Sequence, residues 1–339
     1  MRVLVTGAGG FVGGHLVEAL ADRSHHVRAM VQPGEAAHRL QRAPDGIETV
    51  EGDLTDRGSL KRAVRGVQRV YNVAARTGTW GLEAAYTAVN VRGLGDLIEE
   101  AMEAGVGRIV HTSSITVYGH NVKGTVTEDH PYHAEDNPYS RSKIASEELI
   151  GRLVRQRGAP VVIVRPGWVY GPGDVANFAR IVQLVQSGGG FLFGRGDNVV
   201  PIVYVKDVAE GLARAGEAPD DAVGCAYNIV DDRRVTQAEY LNAIADALHV
   251  RHPSLQLPFA ALYLAGRTAE LLWRAAGRRK GAPPPLTTYG VTLIGRDQRF
   301  SIDRARQELG YAPTFDLNRG VEAGVRWYLQ WRADRPATN

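Results

Sequence analysis

MRVLVTGAGGFVGGHLVEAL, residues Met1 to Leu20, is the stretch that sets how the rest of the chain folds. Arg2-Val3-Leu4-Val5-Thr6 is a short apolar, β-branched run, which reads as a buried parallel strand. Gly7, Gly10 and Gly13 follow at three-residue spacing. Phe11, Val12, Leu16, Val17 and Leu20 then recur at helical intervals, with Glu18 on the other face. A strand, a glycine turn and a helix in that order place backbone N–H groups at the positively polarised start of the helix. A diphosphate fits there. Glycine is needed because a Cβ would hold the phosphate off the backbone and the helix off the strand. The same glycines also suit an ordinary strand-to-helix turn, and it is the flanking strand and helix that favour a dinucleotide.

Composition narrows the class. With 339 residues, 44% hydrophobic and 23% charged, the chain has room for one large α/β domain and a smaller lobe. A formal charge of +3 is too small to point to nucleic acid. Cys225 is the single cysteine, which leaves no internal disulfide and no cysteine-rich metal site, and fits a reducing cytoplasm. The ten histidines are scattered without metal-ligand spacing, so no metal is expected. The first residues are already a strand, so no signal peptide is expected, and no apolar run is long enough to span a bilayer.

Working outward, a second strand is expected at Val27 to Val31. The end of this strand meets the adenosine ribose in dinucleotide folds, where an acidic residue selects NAD and a basic one NADP. Val31-Gln32-Pro33-Gly34 offers neither, which tilts the reading towards NADP, with Arg28, His38 or Arg39 as phosphate partners. Ile47 to Val50 is the third strand. Asp53, just past it, meets adenine, N-caps the helix from Asp56 to Val64, or does both. Val70 to Val73 is the fourth strand, and the small Ala74-Ala75 lets a nicotinamide ribose lie close to the backbone. Thr77-Gly78-Thr79-Trp80-Gly81 is a loop at the carboxyl edge of the sheet, where open α/β sheets bind ligands.

A long helix, Leu82 to Ala104, carries Asn90, and strand five, Arg108 to Thr112, runs into Ser113-Ser114-Ile115-Thr116-Val117-Tyr118. After a polar loop, Asn121 to Pro138, a helix opens at Tyr139 and places Lys143 one turn on, on the same face. Strand six, Val161 to Arg165, leads into Pro166-Gly167-Trp168-Val169-Tyr170. Repeated strand–helix units make residues 1–173 a Rossmann-type, doubly wound parallel sheet. Residues 174–339 read as a smaller α+β substrate lobe, with elements near 199–230 returning to the first domain. Its expected parts are helices at about 175–187, 236–248, 258–276, 302–309 and 317–331, and strands at Val199 to Val205 and 226–230.

An enzyme that moves hydride to or from a carbonyl carbon must also move a proton. Tyrosine does so near neutral pH if its pKa, roughly 10, is lowered. Lys143 is placed to lower that of Tyr139, and Ser114 to donate to the substrate oxygen. Each alone has a plain structural reading as a surface tyrosine, a solvated lysine or a turn serine. The three in this order after a glycine loop point to redox catalysis, and a non-catalytic dinucleotide sensor would not need all three.

Over nearly its whole length the chain resembles an extended short-chain dehydrogenase/reductase. The matching residues are Thr6 to Gly13, Asp53-Leu54, Ala74-Ala75, Asn90-Val91, Ser113-Ser114 with Val117-Tyr118-Gly119, and Tyr139-Ser140-Arg141-Ser142-Lys143. The resemblance implies Tyr139 as acid/base, Lys143 as its activator and ribose ligand, and Ser114 as donor to the substrate carbonyl. It implies cofactor contacts at Thr6, Gly7, Gly10, Phe11, Val12, Gly13, Gln32, Asp53, Leu54, Ala74, Ala75, Asn90 and Pro166. Substrate-side candidates are Thr79, Trp80, Thr116, Tyr118, Trp168 and Tyr204. Asn72, where many relatives carry histidine, is given no role. A homodimer through helices 82–104 and 139–157 is what the family suggests.

Sugar-nucleotide epimerases and dehydratases of this family usually carry an asparagine three residues after the arginine of strand six; here Trp168 stands there. They also use an arginine before a later strand to hold a diphosphate, and Asn198-Val199-Val200-Pro201-Ile202-Val203-Tyr204-Val205 has none. Arg165-Pro166-Gly167-Trp168-Val169-Tyr170-Gly171 and Pro201-Ile202-Val203-Tyr204-Val205 instead resemble the 3β-hydroxysteroid dehydrogenase branch. An apolar sterol-like or β-hydroxy/keto lipid substrate is implied, with the epimerase/dehydratase reaction as the alternative. The apolar helix at 258–276, followed by Arg278-Arg279-Lys280, reads in three ways: a core helix with a solvated end, a wall over an apolar substrate, or a peripheral membrane contact across 258–280.

Overall fold

The computed structural model describes residues 1–34, 46–277 and 284–334. His38, Arg39, the Arg278-Arg279-Lys280 run and Gly281-Ala282-Pro283 lie outside the described residues. In chain order the first half contains β1 (Arg2–Thr6), α1 (Phe11–Asp22), β2 (His26–Val31), β3 (Ile47–Glu51), α2 (Arg57–Val64) and β4 (Arg69–Asn72). There follow α3 (Glu83–Tyr86), a π-helical stretch (Thr87–Gly93), α4 (Leu94–Glu103), β5 (Arg108–Thr112), a 3₁₀ turn (Ile115–Tyr118), β6 (Thr125–Val126), α5 (Pro138–Arg157) and β7 (Val161–Pro166). The second half holds β8 (Trp168–Tyr170), α6 (Phe178–Gln186), β9 (Phe191–Phe193), β10 (Ile202–Tyr204), α7 (Val205–Glu217), β11 (Ala226–Ile229) and α8 (Gln237–Leu248). It ends with β12 (Leu255–Leu257), α9 (Phe259–Ala275), α10 (Thr288–Gly295), β13 (Arg299–Phe300), α11 (Asp303–Leu309) and α12 (Leu317–Ala333).

Seven parallel strands form the main sheet in the order β11-β7-β5-β4-β1-β2-β3. The order reverses at β1, so the carboxyl ends of β1 and β4 open a crevice, the usual ligand position in such sheets. Val3, Val5 and Val110 face one core with α1 and α7 residues such as Leu16, Leu20, Val208 and Leu212. Leu4, Val70 and Ile109 face a second core with Leu60, Leu97 and Ile150 of α2, α4 and α5. Covered on both faces, these strands are apolar throughout, and that is why they read so clearly in the sequence. β11 and α7, from beyond residue 173, belong to this layered body. A third core, including Tyr170, Phe178, Val182, Tyr240, Ile244 and Tyr328, builds the C-terminal lobe.

Two expected elements are broken up. The single helix at 82–104 is interrupted by the π-helical stretch around Asn90, whose amide bonds outside the helix. The strand expected over Val199 to Val205 shrinks to Ile202–Tyr204, because Pro201 has no N–H for a ladder. Val199 keeps only an isolated bridge to Thr236.

Candidate active site

The glycine turn is built by close approach. Gly7 has φ +66°, and a Cβ added to it would lie 2.9 Å from Ala74 Cα. A Cβ on Gly13 would lie 2.0 Å from the Gly7 carbonyl oxygen, so α1 sits against the turn only because position 13 has no side chain. Gly10 caps α1 with extended backbone and without a side-chain hydrogen bond, and its own N–H donates to the Gly7 oxygen at 3.0 Å. A narrow, side-chain-free helix start fits a dinucleotide diphosphate. Gly13→Ala is expected to lower dinucleotide affinity by roughly 5- to 150-fold, since overpacking of this kind costs about 1–3 kcal/mol. Fluorescence titration with NADH reads it directly.

Beneath the turn runs a row of polar side chains that the sequence did not announce. Thr6, Asn72 and His111 are register partners on β1, β4 and β5. The Thr6 hydroxyl donates to Asn72 Oδ1 at 2.7 Å and accepts from the Ala74 N–H at 3.1 Å. Asn72 Nδ2 then donates to His111 Nδ1 at 3.1 Å. Burial, with the charge of Lys143, holds the His111 pKa well below its ordinary value, so this imidazole is neutral. Asn72 thus ties the turn after β4 to the strand that carries the candidate catalytic serine.

At the adenosine end, Asp53 accepts from the Thr55 N–H and hydroxyl, both at 2.7 Å, and from Gln32 Nε2 at 2.8 Å. The Thr55 bonds hold its carboxyl below the usual range. Asp53 is not the N-cap of α2; Asp56 is, accepting from the Gly58 N–H at 3.0 Å, because its position one residue before the first turn suits that bond. Leu54 is buried in the second core, so its side chain packs inward, away from an adenine site. Arg28 is also removed as a phosphate partner: it donates to the Ala63 and Arg65 carbonyls at 2.8 Å and pairs with Glu48 at 3.1 Å. Asn90 brackets the loop after Ala75, with Oδ1 accepting from the Arg76 N–H at 2.8 Å and Nδ2 donating to Ser142 Oγ at 2.8 Å. Pro166 ends β7 at the carboxyl edge, in register with Ile229. Phe11 and Val12 pack as half-buried residues against the third core.

Ser114, Tyr139 and Lys143 converge. Ser114 caps the 3₁₀ turn, accepting from the Thr116 N–H at 3.2 Å, and its hydroxyl acts on Tyr139. Asn137 accepts from the Ser140 N–H at 2.8 Å and starts α5, fixing Tyr139 in the first turn. Lys143 is buried, with Nζ donating to the Thr112 carbonyl at 2.7 Å and standing over the Tyr139 ring at 5.7 Å from its centroid. The expected lowering of Tyr139 by Lys143 is not what this arrangement produces. Burial and the nearby Tyr289 push the Tyr139 hydroxyl up, with Ser114 pulling back down. The ammonium faces the ring centre and a backbone carbonyl.

Burial pushes Lys143 down to about 8, with Glu147 opposing. A lysine depressed in this way binds its proton less tightly folded than unfolded. The folded state is therefore penalised fully below pH 8, and the penalty fades as pH rises towards the unfolded pKa of about 10.4. Less the bond to Thr112, Lys143→Met is expected to stabilise the protein at pH 7 by on the order of 2 kcal/mol, and not near pH 10. Urea unfolding at the two pH values checks it.

Next to these residues lies a cavity of about 360 Å³. Thr79, Trp80 and Leu82, the start of α5 at Asn137, Pro138 and Arg141, and Tyr263, Glu270, Arg274 and Thr287 to Tyr289 from the C-terminal lobe line it. Both of its arginines are paired: Arg141 with Glu83 at 3.1 Å and Asp136 at 3.4 Å, and Arg274 with Asp136 at 3.5 Å. Arg274 also stands over the Trp80 ring at 5.7 Å. Glu270 accepts from the Thr288 N–H at 2.8 Å, which sets α10 and presents Tyr289 to both Thr116 and Tyr139. Burial raises Tyr289 to about 12.

Thr79 and Trp80 line this cavity and Thr116 meets Tyr289 beside it, whereas three other expected substrate residues do not line it. Tyr118 is buried, donating to Asn228 Oδ1 at 2.8 Å and accepting from Arg165. Tyr204 is buried with its ring 4.4 Å from Phe315, and Trp168 packs edge-on to Tyr240 at 5.9 Å in the third core. Tyr118 ends the 3₁₀ turn after β5 and packs in the first core, while Trp168 and Tyr204 lie on the short strands β8 and β10 against the third core, so each ring is spent on packing. Tyr289 has no place in the sequence reading, whereas Tyr263, Glu270 and Arg274 lie on the helix read there as a core helix, a wall over the substrate or a membrane contact, and they line the cavity. Among the described residues no group of three or more His, Cys, Asp or Glu is arranged to hold a metal, and no helix is long and apolar enough to cross a membrane.

The NAD dependent epimerase/dehydratase family model matches residues 3–229. The chain is 30% identical over 329 residues to 2-alkyl-3-oxoalkanoate reductase of Stenotrophomonas maltophilia, covering 95% of this chain and 97% of that one. It is 32% identical over 344 residues to a 3 beta-hydroxysteroid dehydrogenase/Delta 5→4-isomerase of Mycobacterium tuberculosis, covering 97% and 90%. The fold superposes on UDP-glucuronic acid 4-epimerase from Bacillus cereus in complex with NAD with a TM-score of 0.76 at 24% identity, covering 98% and 99%.

Proposed function

We propose that this chain, which belongs to the NAD dependent epimerase/dehydratase family, reduces a ketone, or oxidises the matching secondary alcohol, on an apolar carbon skeleton. The observation that carries the reading is the convergence of Ser114 and Lys143 on Tyr139 at the carboxyl end of β5. When bound, the nicotinamide supplies or accepts the hydride. Ser114 donates to the substrate oxygen and steadies the charge that develops there. Tyr139, kept protonated at neutral pH by burial, gives its proton to that oxygen. Lys143 supplies the positive charge beside the phenolate left behind. A proton donor held in its acid form suits the reductive direction.

An apolar skeleton is supported by the two curated relatives, whose names refer to an oxoalkanoate and a hydroxysteroid, while the cavity offers the rings of Trp80, Tyr263 and Tyr289 in a lining that is otherwise mostly polar and charged. For the cofactor, the structure alters the balance. Arg28 is turned away, and Gln32 brings the Asp53 carboxylate to the end of β2, where a 2′-phosphate would be repelled. This supports NAD over NADP. The resemblance puts a homodimer interface on α4 and α5, and the lone Cys225 suits a cytoplasmic setting.

Thermal-shift titration with NAD, NADH, NADP and NADPH, then absorbance of reduced nicotinamide with 3-oxo acid and ketosteroid panels, tests the reading. Preference for NAD(H) with turnover of an apolar ketone is expected. Stabilisation by a UDP-sugar with no net change in nicotinamide absorbance would replace it with the epimerase reaction, against which the core-packed Trp168 stands.

A further inference from the structure

Two arginines from different lobes meet at one place in the cavity. Arg141 of α5 spends its Nε and Nη2 edge on Glu83, at 3.1 and 3.3 Å, and turns Nη1 to Asp136 Oδ1 at 3.4 Å. Arg274 of α9 stands over the Trp80 ring and holds Nη2 3.5 Å from the other oxygen, Asp136 Oδ2. One carboxylate thus bridges two guanidinium groups, with one oxygen for each. All three side chains line the cavity. Yet that carboxylate is poorly held. Asp136 is 83% exposed, and both contacts are longer than the roughly 2.7–2.9 Å of a strong charge-assisted hydrogen bond. An exposed pair of this kind contributes little and gives way to a better-seated anion. Other carboxylates of the lining are tied to backbone instead: Glu270 accepts from the Thr288 N–H at 2.8 Å, and Glu135 from the His120 N–H at 2.7 Å.

Asp136 therefore marks where an anion of the same shape can sit. We infer that Arg141 and Arg274 take the carboxylate of the substrate, with Asp136 swinging out into water as it enters, and that the substrate is an oxo acid rather than a neutral ketone. One carboxylate replaces another, so the charge of the cavity does not change. A guanidinium fork matches a planar carboxylate, and the rings of Trp80 and Tyr263 in the same lining offer a surface to the carbon chain. Because Arg141 and Arg274 come from different lobes, the bound acid also ties the lobes together across the cavity. The identity of the reacting group rests on the ketone chemistry proposed above; the binding of the carboxylate does not.

Binding without turnover tests it. Isothermal titration of the full chain, saturated with NADH, compares octanoate with octanamide, which has the same chain and no charge. Octanoate is expected to bind at least about tenfold more tightly, the effect of charge-assisted hydrogen bonds from two arginines. Arg274→Gln should abolish that preference while keeping the wild-type thermal shift with NADH, which shows that it is folded. Asp136→Asn should strengthen octanoate binding by roughly two- to fivefold, because the competing carboxylate is gone. A residue that merely held its loop in place would weaken binding when changed. Equal binding of the two probes, no binding of octanoate, an unchanged preference in Arg274→Gln, or weaker octanoate binding in Asp136→Asn overturns the inference. So does UDP binding that Arg274→Gln abolishes while octanoate is inert, which would make a diphosphate the occupant. If the redox panel fails and octanoate behaves as expected, only the ketone chemistry falls; if ketosteroids are reduced and octanoate does not bind, only the carboxylate site falls.

Discussion

Tyr139→Phe is expected to cut turnover by roughly 10²–10⁴-fold, the usual contribution of a positioned general acid, and to leave dinucleotide affinity nearly unchanged. The substitution removes one oxygen and keeps the ring, so the 5.7 Å contact with Lys143 and the first turn of α5 persist. The pH profile adds an independent check. Because burial raises Tyr139, its proton is not lost between pH 7 and 9. Lys143 does titrate there, at about 8, so the reductive rate should fall above that pH as the ammonium loses its proton. Steady-state rates across pH, for the wild type and for Tyr139→Phe, decide the matter; a variant that turns over at more than a tenth of the wild-type rate would remove Tyr139 from its role.

The largest stability effect is expected at Arg165. This side chain is 3% exposed, and Glu147 beside it is 2% exposed. Arg165 Nε donates to Glu147 Oε1 at 3.0 Å, and Nη1 donates to the Glu128 carbonyl at 3.0 Å and to the Tyr118 hydroxyl. Ser113 and Tyr132 also donate to Glu147. Arg165→Met strands a buried carboxylate with hydroxyl donors alone, and breaking a buried pair in this way costs about 3–5 kcal/mol. Glu147 lies one turn beyond Lys143 on α5, and Ser113 immediately precedes Ser114, so activity should fall with stability. Pairing the change with Glu147→Leu removes the stranded charge and is expected to recover most of the loss. Urea midpoints for the single and double variants measure both; a single variant within 1 kcal/mol of wild type, by the same reckoning, would mean that the network contributes little.

How much of this was legible in the chain depends on how local the physics is. The glycine turn announces itself because strand, turn and helix are contiguous, and a Cβ-free position 13 is demanded by atoms only six residues away. Tyr139 and Lys143 are legible for the same reason, since one helical turn joins them. The Thr6–Asn72–His111 row is not, because its bonds exist only once β4 lies between β1 and β5. The interruption of the helix at Asn90 is hidden too: weak helix formers such as Val89, Val91 and Gly93 lower helix propensity without specifying a π-helical stretch, and the Asn90 bonds there run to Arg76 and Ser142. Tyr289 has no local signal at all. It reaches the site through the Glu270–Thr288 bond between two helices of the other lobe, in a region where the alternation of strand and helix had already faded. Tyr118, Trp168 and Tyr204 pack away from the cavity, and proximity in sequence to site motifs says nothing about which way a ring turns.

The seventh strand of the main sheet arrives late. All six residues of β7 are buried, yet its outer neighbour, β11, begins only at Ala226, and α7, which covers the adjoining face beside α1, begins at Val205. During synthesis the growing chain therefore carries a finished set of apolar strands with one adhesive edge uncovered until Ala226 has left the ribosome. A chain cut after residue 173 would keep every residue of the glycine turn and of the Ser114–Tyr139–Lys143 set and still be expected to aggregate. The half of the sequence that carries the candidate site and the length that can stand alone in water are thus different things.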